Sequence, residues 1–241
     1  MCHSTDSRPP APPVVGEVAD HGPFELTAAD GNRFQAYRAD PVRPNGRSIV
    51  LMPDVRGLHP FYRDLAVRFA EAGFRTVAID YFGRTAGLAE RGEDFDHMSH
   101  VRQLTSEQVR TDVTTATALL ADEGPVFTVG FCMGGGQSLR QAIEGNGLAG
   151  GIGFYPVIRV IDHVPLTAGA PVLLLRGEAD QATSPQEYDD FIAKLDQAGT
   201  VNETVVYEGA PHSFFDRSYA EWADACQDAW RQILSFTERH S

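Results

Sequence analysis

The stretch PVFTVGFCMGGGQSLRQAIEGNG, residues 125–147, joins a short apolar run to a glycine-rich turn and then to a helical pattern. The apolar run predicts a buried strand, and the residues from Met133 onward predict a helix. Between them, Gly130, Cys132 and Gly134 fit the motif in which a nucleophile stands at a sharp turn from strand into helix. Such a turn requires tiny residues two positions before and after the nucleophile, and the following helix directs its positive N-terminus at it. A buried structural cysteine in a glycine-rich turn is the alternative interpretation.

The rest of the chain alternates short apolar runs with stretches of helical periodicity. Two alternating segments on either side of Asp30 and Gly31 predict an antiparallel hairpin near the N-terminus. The sequence predicts further strands at 47–53, 75–80, 149–156, 170–177 and 202–209, and helices at 60–74, 105–124, 184–199 and 218–240. This order predicts the α/β class, with a mostly parallel central sheet and helices on both faces. The polar, irregular segment 81–103 is predicted to be a lid or a variable loop.

Composition predicts one globular domain. A chain of 241 residues, 42% of them hydrophobic, is long enough for one sizeable core, and the domain is predicted to span 14–241. Residues 1–13 are polar and rich in proline, which predicts a flexible tail. The start of the sequence has no basic and apolar signal segment, so a cytoplasmic location is expected.

Charge narrows the set of partners. The formal net charge is −13, and no basic cluster offsets it, which disfavours nucleic acid and anionic membrane surfaces. Three scattered cysteines do not indicate a disulfide framework. A monomer that acts on a small molecule is expected, and an oligomer is left open.

Two polar residues complete a candidate site with Cys132. Asp180 follows the predicted strand at 170–177, and His212 follows the one at 202–209. A hydrolase with its nucleophile at such a turn supplies nucleophile, acid and histidine in this chain order, each after a later strand. His212 would take the thiol proton and later activate water, while Asp180 would fix the orientation and tautomer of the imidazole. Each of the two residues is common in loops by itself, so the order of all three carries the hypothesis.

Four short motifs carry a resemblance to a known family: GFCMGG at 130–135, GEAD at 177–180, PHSFF at 211–215 and AIDYFGRTAG at 78–87. With them the chain resembles the dienelactone hydrolases, cysteine members of the α/β-hydrolase superfamily, from about Arg47 to the final helix. The resemblance implies an α/β-hydrolase fold and hydrolysis of dienelactones to maleylacetate, with no metal or organic cofactor. It also implies that the lactone carbonyl acylates Cys132.

The resemblance further implies an oxyanion hole and a carboxylate that switches the cysteine between thiol and thiolate. The segment MPDVRGLHP, residues 52–60, places Asp54 at the switching position, where the family usually has the longer glutamate. A turn or cap residue is the alternative interpretation of Asp54. The backbone N–H groups of Val55 and Met133 would form the oxyanion hole.

The family grips the carboxylate of its substrate with arginines. Arg217 follows the histidine one position later than the family pattern places its arginine. Candidates for a second arginine are Arg84, Arg91 and Arg102, with Arg56 in the oxyanion loop as a further one. An arginine at any one of these positions is more often a surface ion-pair residue than a ligand. Tyr81 and Ser213 are predicted to line the pocket.

Other chemical signals in the sequence are weaker. The segment EDFDHMSH, residues 93–100, places His97 and His100 three apart, a spacing that suits a metal on one helix face. Its polarity and predicted loop position favour a solvated charge run, so no metal site is predicted. Cys226 lies with Trp222 and Trp230 on one apolar face of the last predicted helix, so packing explains it.

Three functions agree with the sequence. The first is a hydrolase that opens a lactone or small ester through a Cys-His-Asp triad. The second is a broader carboxylesterase that acts on uncharged esters. The third is a non-catalytic small-molecule receptor or a thiol redox sensor on the same fold.

Overall fold

A computed structural model describes residues 7–92, 94–161, 168–216 and 220–241 of the chain. Within these residues one sheet has eight strands: β1 (Val18–Thr27), β2 (Arg33–Pro41), β3 (Ser48–Met52), β4 (Arg75–Ile79), β5 (Val126–Phe131), β6 (Gly150–Phe154), β7 (Val172–Gly177) and β8 (Asn202–Tyr207). The helices are α1 (Pro60–Glu71), α2 (Gly83–Ala86), α3 (His97–Val101), α4 (Ser106–Leu120), α5 (Met133–Ile143), α6 (Pro185–Ala198) and α7 (Ala223–Arg239). The predicted strands and the long predicted helices all form, with boundaries that differ by a few residues.

The sheet has the order β1-β2-β4-β3-β5-β6-β7-β8. The six strands from β4 to β8 in this order are parallel, and β2 joins β4 antiparallel. The hairpin of β1 and β2 forms as predicted, because Gly31 takes a φ of +83° at its tip and Asp30 accepts the N–H of Asn32 at 3.1 Å. The α/β prediction with a mostly parallel sheet and an N-terminal antiparallel hairpin is confirmed.

Side chains of the parallel strands alternate between two apolar layers. Ile49 of β3 packs in one layer with Leu65 of α1 and Trp230 of α7. Val50, the next residue, packs in the opposite layer with Val113 of α4. Helices α5 and α6 pack on β7 on this second side. Because both faces of the sheet are covered, its strands are short apolar runs, as the sequence suggested.

The segment predicted as an irregular loop at 81–103 contains two short helices, α2 and α3. The connection between these helices contains Arg91, which is 3% exposed and forms an ion pair with Asp80. The missed helices are one turn long, too short for a period of 3.6 residues to show.

The last helix begins later than predicted. Among the described residues of the predicted helix at 218–240, Ala220–Trp222 form a short 3-10 helix and α7 starts at Ala223. Trp222 is therefore half-buried at the helix entry, while Cys226 and Trp230 pack in the core. No helix in the described part of the chain is long and apolar enough to cross a membrane.

Residues 7–12 of the predicted flexible tail lie against the domain. Pro9, Pro10 and Pro12 are buried. The indole Nε1 of Trp230 donates to the Pro10 carbonyl at 3.2 Å. The Arg8 N–H donates to the carboxylate of Asp216 at 3.0 Å. The segment forms no helix or strand, as its prolines suggested, but the described part of it does not extend into solvent.

Deletion of residues 1–12 is expected to lower the free energy of unfolding by about 2–4 kcal/mol, because hydrogen bonds of about 1 kcal/mol each are lost and apolar surface is uncovered. Urea denaturation measures this change. The variant Trp230→Phe removes the indole N–H and also shrinks a fully buried side chain, so it should cost about 2–3 kcal/mol. An unchanged midpoint in the truncated protein would show that the segment contributes nothing to stability.

Candidate active site

Cys132 occupies the turn between β5 and α5 in a backbone conformation that is rare outside glycine. Its φ is 56° and its ψ is −116°. The Cys132 N–H donates to the carbonyl of Phe154 at 3.0 Å, and its carbonyl accepts from the N–H groups of Gly136 at 3.1 Å and Val157 at 3.0 Å. These bonds tie the corner to the end of β6 and to α5, so the strained conformation is held from several directions.

Two glycines allow this corner to form. A Cβ on Gly130 would lie 1.9 Å from the Gly134 carbonyl oxygen, which is the collision across the turn that the motif predicts. A Cβ on Gly134 would instead lie 2.1 Å from the carbonyl oxygen of Pro53 and 2.3 Å from that of Met52. The second glycine is therefore needed for a different contact: it lets the loop after β3 run against the first turn of α5.

Asp180 and His212 follow β7 and β8 and lie in direct contact. Nδ1 of His212 lies 2.9 Å from Oδ2 and 3.0 Å from Oδ1 of Asp180. The carboxylate also accepts the N–H of Ala182 at 2.8 Å. Cys132 lies near enough to contribute to the raised pKa of His212. The structure thus places Asp180 in direct contact with His212, while the catalytic roles of these two residues and Cys132 stay a prediction.

A third glycine sets the distance between the two loops that carry Asp180 and His212. A Cβ on Gly177, the last residue of β7, would lie 2.2 Å from the carbonyl oxygen of Ala210. That carbonyl accepts the N–H of Ala179 at 3.0 Å. The loop after β8 therefore lies directly on the loop after β7, which puts the imidazole within reach of the carboxylate.

The surroundings of His212 favour its protonated form. Burial alone lowers the pKa of His212, but hydrogen bonds to Asp180 and Cys132, together with the negative charges on both partners, raise the pKa to about 9. The side chain of Asp180 is 1% exposed and that of His212 is 12% exposed, so solvent screens the pair only weakly. With its pKa raised to about 9, His212 is mostly protonated near neutral pH.

Tyr155 is a site residue that the sequence analysis did not single out. Its ring centroid lies 4.7 Å from that of His212, and its φ is +35°, rare for a residue with a side chain. Ser213, directly after the histidine, also has a positive φ, +63°, and is buried. Tyr155 directly follows β6, the neighbour of β5 in the sheet. This position beside the glycine-rich turn was the sequence signal that could have identified it as a site residue.

The loop after β3 carries the residues expected for an oxyanion hole. Asp54 is buried and accepts the N–H of Arg56 at 2.9 Å, as a turn residue does. The guanidinium of Arg56 folds back on the same carboxylate, with Nη2 at 2.9 Å from Oδ2 and Nε at 3.1 Å from Oδ1. Val55 is half-buried in the same apolar cluster as Met133. Asp54 therefore acts as a turn residue, and its role as thiol switch stays a prediction.

Tyr81 lies under the loop after β3. Its side chain is 1% exposed, and its hydroxyl donates to the carbonyl of Pro53 at 2.9 Å. It therefore supports this loop, and its place in the substrate pocket stays a prediction. Burial, and then the charges of Asp54, Asp80 and Cys132, raise the pKa of Tyr81 well above its ordinary value, so the hydroxyl remains a donor.

Several arginines were predicted to bind a substrate carboxylate. Those that are buried or half-buried form ion pairs with carboxylates of the protein. Arg84 contacts Asp112 at 2.6 Å and Asp30 at 2.7 Å. Arg91 contacts Asp80 at 2.9 Å. Arg102 is exposed and donates to Ser99 at 3.3 Å. Arg217 lies outside the described residues.

No cluster of His, Cys, Asp and Glu within the described ranges could hold a metal ion. His97 and His100 both belong to α3. The ring of His100 stacks on Phe95 at a centroid distance of 4.9 Å, so it packs against an aromatic residue.

The sheet order, the cysteine at the strand–helix corner and the acid and histidine after later strands define an α/β-hydrolase fold. Solved structures agree with this class. A Klebsiella pneumoniae protein superimposes with a TM-score of 0.73 at 24% identity, covering 90% of this chain and 98% of that one. A dienelactone hydrolase-like promiscuous phosphotriesterase from metagenomic libraries gives a TM-score of 0.72 at 19% identity, covering 91% and 98%.

The sequence model of the dienelactone hydrolase family matches residues 34–241, so the chain belongs to that family. It is 29% identical to a carboxymethylenebutenolidase of Rhodococcus opacus, with 100% of this chain and 97% of that protein aligned. It is 25% identical to a probable 2-oxo-3-(5-oxofuran-2-ylidene)propanoate lactonase of Bradyrhizobium, with 88% of this chain and 91% of that protein aligned. The chain is therefore a hydrolase that acts on esters or lactones.

The substitution Asp180→Asn is expected to lower the pKa of His212 from about 9, because the carboxylate hydrogen bond and charge that stabilise the imidazolium are lost. An NMR titration of the histidine rings measures this shift. His21, whose ring contacts Tyr37 instead, serves as the internal control. A raised histidine pKa stabilises the fold below the unfolded value of about 6.5 and ceases to do so above the folded value. Asp180→Asn should therefore cost more stability near pH 6 than near pH 10, and an unmoved His212 titration would contradict the assigned contact.

Proposed function

We propose that the chain opens a lactone or small ester by acyl transfer to Cys132, with His212 as base and acid and Asp180 as the group that orients it. The observation that supports the proposal is the contact between the His212 imidazole and the Asp180 carboxylate after β8 and β7, together with the effect of Cys132, after β5, on the pKa of that histidine. Nδ1 of His212 is occupied by Asp180, which leaves Nε2 for the thiol.

In the first stage the Cys132 sulfur attacks the carbonyl carbon, and the carbonyl electrons move onto oxygen. The carbonyl then re-forms, the bond to the ring or ester oxygen breaks, and the His212 imidazolium gives its proton to that leaving oxygen. The products of this stage are a thioester on Cys132 and a neutral imidazole. A raised pKa of His212 supports this stage, because the histidine holds the needed proton at neutral pH.

In the second stage neutral His212 removes a proton from water, and the resulting hydroxide attacks the thioester carbon. The carbon–sulfur bond breaks, the acid leaves, and the thiolate–imidazolium pair is restored. In both stages the carbonyl oxygen carries negative charge. The N–H of Met133, at the start of α5, and the N–H of Val55 are the proposed donors to that oxyanion. Because Gly134 lets the two segments touch, the arrangement of their backbones supports this pairing.

The proposed substrate class is a lactone with a free carboxylate, as the names of the two aligned relatives suggest. Arg56 is the described arginine best placed to bind that carboxylate, because it lies in the oxyanion loop and its side chain is 16% exposed. It now pairs with Asp54, so an anionic substrate would compete with this carboxylate. Arg217 and Ser213 remain further candidates from the sequence.

One observation favours the second candidate function, a carboxylesterase for uncharged esters. The three buried or half-buried candidate arginines, Arg56, Arg84 and Arg91, are each bonded to a carboxylate of the protein. A site without an available cation would not select an anionic substrate.

The substitution Cys132→Ala is expected to reduce hydrolysis of a dienelactone by at least about 10⁴-fold, because the covalent stage is lost. The matched control is Cys226→Ala, which removes the other described buried thiol and should leave the rate unchanged. Steady-state kinetics of both variants measures the difference. Activity of Cys132→Ala comparable to wild type would overturn the proposal.

The substitution Arg56→Gln is expected to raise KM for a dienelactone free acid about 10-fold and to leave its methyl ester little affected, since a charge-assisted hydrogen bond is lost. Arg84→Gln, tested in the same way, compares Arg56 with a second described candidate. Equal changes for acid and ester would contradict carboxylate binding by Arg56. Wild-type protein that turns over only the ester would establish the carboxylesterase.

A further inference from the structure

The loop after β3, residues 53–58, has to present the Val55 N–H at a fixed place if it is to bind an oxyanion. Within the loop, the Asp54 carboxylate accepts from the N–H and the guanidinium of Arg56. The Gly57 N–H donates to the Asp54 carbonyl at 3.1 Å and closes one turn, and Gly57 itself has a φ of +74°. A turn that includes a glycine in the left-handed region needs support from outside to stay in one conformation.

Two consecutive residues at the end of β4 supply that support. The Tyr81 hydroxyl donates to the carbonyl of Pro53 at 2.9 Å, at the start of the loop. The Asp80 carboxylate accepts the N–H of Leu58 at 3.1 Å, at the end of the loop. Both side chains are buried, Asp80 completely. The loop is thus held at its two ends by Asp80 and Tyr81, which are adjacent in the sequence.

The carboxylate of Asp80 is itself fixed. Its Oδ2 accepts from the N–H of Phe82 at 3.0 Å and from Nη2 of Arg91 at 2.9 Å. Arg91 also donates to the carbonyl of Gly87 at 2.6 Å, and its guanidinium lies 4.8 Å from the ring centroid of Phe95. A buried carboxylate with a cation and two N–H donors has little freedom to rotate.

The loop fits tightly against this support. A Cβ on Gly57 would lie 2.4 Å from Oδ1 of Asp80. On the other side of the loop, a Cβ on Gly134 would lie 2.1 Å from the Pro53 carbonyl and 2.8 Å from the Tyr81 hydroxyl. The Tyr81 hydroxyl therefore lies at the point where the loop meets the first turn of α5, which carries the other proposed oxyanion donor.

We propose that Tyr81 and Asp80, the latter held by Arg91, are positioning residues that clamp the loop at 53–58 so that its N–H faces the oxyanion. The inference rests on the proposed acyl transfer at Cys132 and assigns these residues a part in it. The clamp acts on stabilisation of the carbonyl oxygen and not on reactivity of the sulfur, which depends on His212 and Asp180.

This distinction provides the test. Ester hydrolysis develops an oxyanion, whereas alkylation of a thiolate by iodoacetamide displaces iodide at a saturated carbon and develops none. Tyr81→Phe deletes the hydroxyl and keeps the ring. The measured quantity is kcat/KM for ester hydrolysis divided by the alkylation rate of Cys132, with peptide mass spectrometry separating Cys132 from Cys2 and Cys226.

Tyr81→Phe is expected to lower this ratio about 10- to 100-fold, the range found when a group in an oxyanion hole or near-attack geometry is displaced. The matched control is Tyr207→Phe, which deletes a buried hydroxyl bonded to Asp228 at 3.1 Å. That variant should keep the wild-type ratio even if its stability falls. Arg91→Lys keeps the buried positive charge but loses the planar set of N–H donors of the guanidinium. It should lower the ratio in the same direction. This variant provides a second test if Tyr81→Phe does not fold.

The outcomes separate the clamp from the proposed function. Wild-type hydrolysis that depends on Cys132, together with an unchanged ratio in Tyr81→Phe and Arg91→Lys, would overturn the clamp alone. Parallel losses of hydrolysis and alkylation would also overturn it, because they indicate general damage to the site. Wild-type protein without esterase or lactonase activity would overturn the proposed function, and the clamp with it.

Discussion

The site depends on the close passage of three backbone segments: the end of β5, the first turn of α5 and the loop after β3. They touch because Gly130 and Gly134 have no Cβ, and one added at either position would lie within about 2 Å of a carbonyl oxygen. This contact forces Cys132 into its left-handed corner and puts its sulfur at the start of a helix, where the backbone dipoles favour a thiolate. The same contact brings the loop with Val55 against the helix turn that begins at Met133.

The second constraint is electrostatic, because buried carboxylates have to be paired. Asp180 lies against His212, Asp54 against Arg56, and Asp80 against Arg91. In a chain with a net charge of −13, these pairs use cations of the described residues to hold the protein's own loops. An anionic substrate that binds through Arg56 would have to displace the Asp54 carboxylate, whereas a neutral ester would not, and this difference makes the charge of the substrate the sharpest question about specificity.

The sequence was sufficient for features that depend on local pattern. Apolar runs predicted the buried strands, and the chain order predicted the contact between Asp180 and His212, 32 positions apart, because parallel strands end at one edge. The sequence was insufficient where a side chain can form an ion pair or hydrogen bond with several residues that are distant in the chain. Arg84 is paired with Asp112 and Asp30, and neither pairing has a local signal. Tyr81 follows a buried strand, and nothing in the period of that strand tells whether its hydroxyl faces a pocket or a neighbouring carbonyl. The prolines of residues 7–12 excluded regular structure but could not show that the segment is buried.

The strands that surround Cys132 form two groups, one on each side of β5 in the sheet. Strands β6, β7 and β8 are followed by Tyr155, Asp180 and His212, and Asp180 raises the pKa of this histidine. Strands β3 and β4 are followed by the loop at 53–58 and by the residues that hold it. In the proposed mechanism, nucleophilic strength and oxyanion stabilisation therefore depend on different strands, which meet at the glycine-lined corner. A change in the β3 and β4 loops can therefore alter which carbonyl is accepted without changing how reactive the sulfur is, which explains physically how one corner can serve substrates of different shape and charge.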